Sequence, residues 1–405
     1  MKTTSLRASL LCAVLLGLSG AVVQAQPIAI QAGRLVDPEA GTASENQVIL
    51  VEDGIIQAVG AVAIPAGATV IDLSNQTVMP GLFDAHTHMC LNVNPKRDAG
   101  NYFFTSLLDP TGYRAIQGVA NARAMLEAGF TTIRDIGNAA NYADTDLRHA
   151  IEEGLVPGPT MHNAGRIIAP YGGQFQLQQD KRDLGNPEYL YADTRDELKK
   201  AIRENIHFGA TFIKIVVDDQ PYIYSPDDIR FVVEEAGKAG LAVAAHCWTE
   251  QGARNAIAGG VASIEHGTDM PDDVLRLAKE KGIYLVGTEF TEMAIHETFH
   301  GLSDQEARDL HQQFIDRLRR AYRLDVPMAF GSDVVFVKEG YTRGTLTLTY
   351  LENFREAGVP ASYALKMMTT NAAALMGLSD ERGAIRPGLG SVTAVRLAAV
   401  GCSAR

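Results

Sequence analysis

The sequence predicts an α/β protein, a (β/α)8 (TIM) barrel with a small β-sandwich domain. Residues 26–79 form short alternating runs of apolar and polar residues, which are typical of a small antiparallel sheet. After Met79 the pattern changes to short β-branched apolar runs, each followed by a segment with helical spacing. No sequence repeat or low-complexity linker interrupts this alternation.

Eight strand-helix alternations carry the barrel prediction. The helical segments 195–209 and 225–240 begin at capping residues and end at glycine, as helices do. We expect a barrel over 80–380 and a sandwich built from 26–79 and the C-terminal segment 381–405. The predicted barrel strands are 81–88, 130–137, 160–165, 210–217, 241–248, 261–267, 283–289 and 326–333.

The N-terminus has the pattern of a secretory signal. Lys2 and Arg7 precede an apolar stretch that ends in a small-residue cleavage pattern at 23–25. The apolar stretch is short and rich in Ala and Gly, which is unlike a membrane span. We therefore expect residues 1–25 to be removed and the mature protein to be periplasmic or secreted, without stable membrane insertion.

Charge and cysteine content exclude several classes of protein. The formal net charge is −12 at pH 7, and there is no basic run, which argues against nucleic acid or anionic membrane as a partner. Cys90, Cys247 and Cys402 follow the predicted signal at wide spacing, without a C-x-x-C motif. An odd number of scattered cysteines is not a disulfide framework.

Six side chains that can bind metal lie at or near the ends of predicted strands. In a barrel of this type the carboxyl ends of the strands carry the catalytic groups. The two histidines of an H-x-H motif on a strand face the same way and can chelate one ion, and two histidines on adjacent strands can hold a second. The six residues are His86, His88, Lys214, His246, His266 and Asp333.

Lys214 lies within the apolar run 210–217, where burial favours the neutral amine. A neutral amine can take up carbon dioxide, and the two oxygens of the resulting carbamate can bridge two divalent ions. Two ions about 3.5–4 Å apart acidify a shared water and polarise a substrate carbonyl. The alternative is a lysine that reaches solvent or pairs with Asp218 or Asp219.

The motifs VMPGLFDAHTH, GFTTIRDIG, FIKI, AAHCW, SIEHG and FGSD, in this order, resemble the amidohydrolase superfamily. Within it the chain is similar to the exported branch related to Xaa-Pro dipeptidases and imidazolonepropionase, which includes ochratoxin-degrading amidases. The resemblance covers nearly the whole mature chain. It implies a small-molecule amide substrate, a homo-oligomer and the side β-sandwich.

The resemblance also implies a binuclear zinc site. His86 and His88 would hold one ion with Asp333, and Lys214, as N6-carboxylysine, would bridge to the ion held by the histidine pair His246 and His266. Asp333 would take a proton from a bridging hydroxide and pass it to the leaving nitrogen.

The chain departs from this family in two places. After residues 383–388 the usual Ala-Asp and hydrophobic strand are replaced by a segment without acidic residues, which indicates an altered end of the sandwich. In the segment 171–175 Gln174 stands where the family has a histidine. The substrate role of this position is therefore open.

A second motif competes for the catalytic role. The sequence HETFH at 296–300 matches H-E-x-x-H, which on a helix would make Glu297 the general base of a zincin protease. A lactonase or phosphotriesterase using the two-metal site, and a non-catalytic scaffold, are further alternatives.

The leading prediction is hydrolysis of an amide next to a free carboxylate, in dipeptides or N-acyl amino acids that include ochratoxin-type aromatic amides.

Four further residues are candidates for substrate contact, and each has a structural alternative such as a hydrogen bond or packing at the rim. We also expect Arg134 and Asp135, at the end of the second strand, to form a buried ion pair. The four candidates are His162, Tyr222, Tyr224 and His296.

Overall fold

The computed structural model describes residues 26–175, 177–299, 301–390 and 395–396. The predicted signal 1–25, Cys402 and most of the segment after Gly390 lie outside this part of the chain. The described strands are β1 Ile28–Asp37, β2 Thr42–Glu52, β3 Ile55–Gly60, β4 Thr69–Met79, β5 Leu82–Thr87, β6 Phe130–Asp135, β7 Thr160–Asn163, β8 Ile167–Ala169, β9 Tyr189–Tyr191, β10 Ile213–Val216, β11 Val243–Cys247, β12 Ser263–His266, β13 Tyr284–Val286 and β14 Val395–Arg396.

Helices alternate with the strands from β5 onward, and a 3-10 helix spans Gln179–Gly185. Helix α5 begins with a capping box between Thr194 and Glu197, and α6 begins with a Ser225 cap followed by proline, as the sequence pattern predicts. The helices are α1 Pro95–Asp98, α2 Tyr102–Leu108, α3 Thr111–Glu127, α4 Ala143–Glu152, α5 Arg195–His207, α6 Pro226–Gly237, α7 Glu250–Gly259, α8 Asp272–Lys281, α9 Glu292–Thr298, α10 Asp304–Arg323, α11 Arg343–Thr349, α12 Leu351–Glu356, α13 Ala361–Met367 and α14 Thr370–Leu375.

The N-terminal strands form a five-stranded sheet in the order β14-β4-β1-β2-β3. β1 pairs antiparallel with β2 and parallel with β4, and β14 joins antiparallel to β4. The chain also returns to this sheet at Ile56, whose N–H donates to Leu389 O at 2.9 Å and whose carbonyl accepts from Gly388 N at 2.8 Å. Both the N-terminal strands and residues beyond 381 therefore contribute to one sheet.

Two parallel sheets contain the remaining strands, in the orders β5-β6-β7 and β13-β12-β11-β10-β8-β9. The α/β class is thus confirmed. Two strands that the sequence pattern did not predict, β8 and β9, extend the second sheet beyond β10. Thr211 N donates to Asn163 O at 2.8 Å, which places the end of β7 beside the start of β10.

The predicted eighth strand, 326–333, is not a continuous strand, but it lies between β13 and β5. Leu285 N donates to Pro327 O at 2.9 Å on one side. On the other side Ala85 N donates to Phe330 O and Asp333 N donates to His86 O, each at 2.8 Å. Because Asp333 is fixed through its backbone to His86, its side chain lies beside the histidines that end β5.

Every residue of β5, β6, β10, β11 and β12 is buried. Parallel strands covered on both faces are built from near-continuous apolar runs for this reason. Polar side chains inside such strands require partners, because a buried charge without one is costly. No helix in the described part of the chain is both long and apolar enough to cross a membrane.

Gly331 permits the close approach of the segment 326–333 to its neighbours. A Cβ at this position would contact Val286 Cγ1 and lie 2.7 Å from His86 Cβ and 3.2 Å from His86 N. Asp84 stabilises the same approach, since its Oδ1 accepts from His86 N at 3.1 Å and Ser332 N at 3.0 Å. The position of His86 therefore depends on a glycine opposite it.

We expect Gly331→Ala to lower the free energy of unfolding by about 1–3 kcal/mol, because the new methyl group overpacks against backbone and Cβ atoms that cannot move aside. Urea unfolding followed by circular dichroism measures this change. The matched control is Gly237→Ala in α6, where a Cβ would meet nothing within 4 Å. The control should be neutral or stabilising by up to about 1 kcal/mol, and equal stability of the two variants would contradict the packing argument.

Candidate metal centre

His86 and His88 end β5 and point toward Asp333. The Nε2 atoms of His86 and His88 lie 3.6 Å and 3.2 Å from Asp333 Oδ1. One donor atom from each of the three residues lies within 4.8 Å of the other two, which is close enough for a shared ion. The structure thus brings together three of the predicted metal ligands.

The far ring nitrogens of these two histidines have their own partners. His86 Nδ1 lies 2.9 Å from Glu265 Oε2, and His88 Nδ1 lies 2.7 Å from the carbonyl oxygen of Gly137. A carbonyl can only accept a hydrogen bond, so His88 Nδ1 carries a proton and its Nε2 is the ring nitrogen that faces Asp333. Such outer hydrogen bonds orient histidines for metal binding.

The electrostatics favour neutral His86 and His266 and charged carboxylates, whereas the Asp333 carboxylate raises the pKa of His88 despite its burial. Burial lowers the pKa of His86 to about 4 and the pKa of His266 well below its usual value. Burial alone would raise the pKa of Glu265, but Arg134 and the His86 hydrogen bond lower it to about 2. Burial opposes ionisation of Asp333 as well, yet His86 and His88 hold its pKa below the usual value. Neutral imidazole and carboxylate are the forms that bind metal.

His246 and His266, the predicted ligands of a second ion, lie beside each other in the same cavity. Their ring centroids are 4.6 Å apart, and His266 Nδ1 lies 2.8 Å from Thr288 Oγ1. His246 Nε2 is buried and has no hydrogen-bond partner among the described residues. The carboxylate of Asp219 approaches this atom to 3.6 Å, which is too long for a hydrogen bond. A buried nitrogen without a partner indicates that a ligand belongs there.

Lys214 lies in β10 and is only 2% exposed. Burial lowers the pKa of its amine to about 8, although the charges of Glu265 and Asp333 oppose this shift. The predicted alternative, an ion pair with Asp218 or Asp219, is wrong: Asp218 accepts hydrogen bonds from Trp248 N and Thr249 N, and Asp219 accepts from Gln174. Lys214 instead faces the same cavity as the histidines.

The donor set fits divalent metal. Four imidazoles, one carboxylate and a buried lysine amine line one cavity, and imidazole nitrogen with carboxylate oxygen is a combination suited to zinc and its neighbours. The donor atoms of His86, His88 and Asp333 lie close enough to one another to share one ion. The orphaned His246 nitrogen and the unpaired Lys214 amine mark where a second ion would fit.

The cavity has a volume of about 530 Å3 and a mixed lining. Aromatic and aliphatic side chains form much of its wall, and Trp248 stacks on His266 with ring centroids 5.0 Å apart. The apolar residues include Tyr102, Trp248, Phe290, Phe299 and Leu302. The polar residues outside the donor set are Asn101, Asn138, Gln174, Asp219, Glu297 and Thr298.

None of the four predicted substrate-contact residues lines this cavity. Tyr222 is 77% exposed, whereas Tyr224 is buried and donates to Ala192 O at 2.5 Å. His162 is half-buried, and burial together with the charge of Arg382 lowers its pKa to about 4. His296 is exposed on α9, while its neighbours Glu297 and Thr298 face the cavity.

The H-E-x-x-H interpretation lacks the geometry it needs. Helix α9 ends at Thr298, so it does not extend to the second histidine of the motif, and His300 lies outside the described residues. Glu297 forms an ion pair with Lys338. Within the described residues the motif contributes Glu297 to the cavity wall and places no second histidine on α9.

Several residues at the centre were missed by sequence reasoning. Arg134 pairs with Glu265 at 2.7 Å, and not with Asp135 as predicted, because adjacent residues on a strand point to opposite faces. Glu265 had one signal, a charged residue inside a buried strand directly before His266. Thr288 lies in a loop and had no comparable signal, whereas Gln174 was noted only for its departure from the family and Asp219 only as a possible partner of Lys214.

Comparison with known proteins identifies similar hydrolases. Ochratoxinase from Aspergillus niger is 29% identical over 390 residues, which cover 87% of this chain and 77% of that protein. A Xaa-Pro dipeptidase solved with methionine in its active site superposes with a TM-score of 0.79 at 27% identity, covering 90% of this chain and 92% of the other.

A prolidase in complex with N-methylphosphonate-L-proline gives a TM-score of 0.77 at 27% identity, with coverage of 90% and 91%. The family model described as the amidohydrolase family matches residues 77–389, which include all six predicted metal ligands. This chain therefore belongs to the amidohydrolase family.

Proposed function

We propose that this hydrolase cleaves a peptide-like amide bond at a two-metal centre. The observation that carries the proposal is the convergence of four histidines, Asp333 and the buried Lys214 on one cavity. Cavities of about 300–1,000 Å3 hold small molecules of this class. The similarity to ochratoxinase and to two peptidases of Xaa-Pro substrates supports amide cleavage over other hydrolysis.

His86, His88 and Asp333 would hold one ion, and His246 with His266 the second. Lys214, carboxylated by carbon dioxide, would supply the bridging oxygens. Divalent ions, zinc by the ligand types, would supply an acidified water and polarise the substrate carbonyl. The depressed pKa of the Lys214 amine favours the neutral form that reacts with carbon dioxide.

Asp333 is the residue placed to move the proton. Its carboxylate faces the cavity with 14% of the side chain exposed, so one oxygen can bind metal while the carboxylate accepts a proton from the attacking water. The same carboxylate would then donate that proton to the leaving nitrogen. The substrates we propose are dipeptides or N-acyl amino acids, with ochratoxin-type aromatic amides included.

The proposal also includes architecture and location. The parallel sheets and the segment 326–333 would form a complete (β/α)8 barrel, and the five-stranded sheet would belong to a β-sandwich. We propose export to the periplasm or medium, with cleavage after Ala25, and assembly into a homo-oligomer through exposed apolar side chains such as Phe104, Leu108 and Ile116. Intact-mass spectrometry of the exported protein tests the cleavage, and light scattering tests the assembly. A monomer that retains residues 1–25 would contradict both.

We expect the zinc-loaded protein to hydrolyse dipeptides or N-acyl amino acids faster than lactones or phosphotriesters. The physical basis is a proton donor, Asp333, placed for an amine leaving group, which lactones and phosphotriesters do not need. Mass spectrometry of products across the three substrate classes measures this preference. Rapid lactone turnover with inert amides would overturn the amide assignment, and no turnover in any class would support a non-catalytic scaffold.

Lys214→Ala should lower kcat by at least about a hundredfold, because loss of one ion removes several kcal/mol of charge stabilisation. Bound metal should fall from about two ions per chain to about one. Glu297→Ala is the comparison, and we expect a far smaller effect because Glu297 is outside the predicted ligand set and already pairs with Lys338. Steady-state kinetics and elemental analysis of the two variants distinguish the two-metal mechanism from the zincin mechanism. An active Lys214→Ala beside an inactive Glu297→Ala would establish the zincin mechanism instead.

A further inference from the structure

Asp219 is a carboxylate at the reaction centre that the proposed chemistry does not use. It follows β10, five residues after Lys214, with a positive φ of 80° that non-glycine residues seldom adopt. Its side chain is 42% exposed and lines the cavity, and its Oδ2 lies 3.6 Å from His246 Nε2. A substrate held at the metal centre would therefore lie within reach of this carboxylate.

Two neighbouring side chains fix the orientation of Asp219. Gln174 Nε2 donates to Asp219 Oδ2 at 3.0 Å, and the phenol of Tyr189 donates to Gln174 Oε1 at 2.9 Å. The Tyr189 bond determines which end of the Gln174 amide faces Asp219. The carboxylate is thus held by a neutral donor, which orients it without neutralising its charge.

Asp219 differs from the other charged side chains that line the cavity. Among the described residues that line it, Lys214 is the one lysine and there is no arginine. Glu297 is the other carboxylate outside the predicted ligand set, and Lys338 already pairs with it. No lysine or arginine in the described part of the chain lies within ion-pairing distance of Asp219. Burial opposes ionisation of Asp219, but His246 lowers its pKa and is its one ion-pair partner in the described part of the chain. An oriented carboxylate without a lysine or arginine partner is suited to a cationic group of a substrate.

We propose that Asp219 binds the free ammonium group of an aminoacyl substrate, next to the scissile carbonyl. This inference rests on the proposed function and narrows it: the enzyme selects dipeptides with a free amino terminus over N-acyl amino acids that lack the charge. The aromatic wall around Trp248 and Phe299 lies in the same cavity and would contact the apolar side chain of the aminoacyl residue.

The test compares two substrates that differ only in the amine, L-phenylalanyl-L-proline and 3-phenylpropanoyl-L-proline. For the wild type we expect kcat/KM to favour the dipeptide by about ten- to a hundredfold, the range of a hydrogen bond to a charged group. Asp219→Asn keeps the shape and removes the charge, so this selectivity ratio should fall to near one. Glu297→Gln is the matched control, and its selectivity ratio should remain that of the wild type.

Three outcomes would overturn the inference. If the wild type shows the same kcat/KM for both substrates, no ammonium site is needed. If Asp219→Asn keeps the wild-type selectivity ratio, another group recognises the amine. Loss of metal from Asp219→Asn, measured by elemental analysis, would make Asp219 a metal ligand instead.

The proposed function and this inference fail in different ways. If the zinc-loaded wild type hydrolyses neither compound, amide hydrolysis is overturned, and the two compounds serve as ligands in isothermal titration calorimetry. Tighter binding of the dipeptide, lost in Asp219→Asn, would still support the ammonium site. Equal binding of both compounds would reject it.

Discussion

The candidate centre depends on one buried charge, the carboxylate of Glu265. It lies completely buried in β12, pairs with Arg134 at 2.7 Å and accepts from His86 Nδ1 at 2.9 Å. Arg134 also donates to Ala85 O at 2.7 Å, so the guanidinium ties β6 to both β5 and β12. Removing one member of such a group would leave an unpaired buried charge, which costs several kcal/mol. The same contacts that satisfy Glu265 aim His86 Nε2 at the cavity.

Strand ends at the centre adopt backbone conformations that the strands themselves do not. His266, Thr288 and Asp333 have φ values of 65°, 47° and 52°, and Asp219 has 80°. Non-glycine residues in this region cost about 1–3 kcal/mol each and persist where surrounding contacts hold them. Here the contacts are identifiable: Arg317 donates to the carbonyl of His266, and Asp333 N donates to His86 O.

The sequence predicts much of this arrangement because local patterns determine it. An H-x-H at the end of an apolar run places two imidazoles on one face, and a lysine within β-branched residues is buried whatever its partners. The pairing of Arg134 with Glu265 joins residues 131 positions apart, and no local pattern contains it. Tyr222 and Tyr224 follow β10 in a loop whose path depends on contacts with Ala192 and Asn255. The break in the segment 326–333 reflects tertiary hydrogen bonds in the same way.

The two halves of the centre differ in how far the protein alone satisfies them. His88 has a protein partner on Nδ1, and its Nε2 faces Asp333, so the first half is ordered by side chains already present. In the second half His246 Nε2 is buried without a hydrogen bond among the described residues. Leaving such a group unpaired costs about 1–3 kcal/mol, and burial of the Lys214 amine adds to this cost. Folding alone leaves His246 Nε2 without a hydrogen bond among the described residues and buries the Lys214 amine. A ligand bound beside them would therefore recover free energy that burial costs, and His86, His88 and Asp333 would position that ligand.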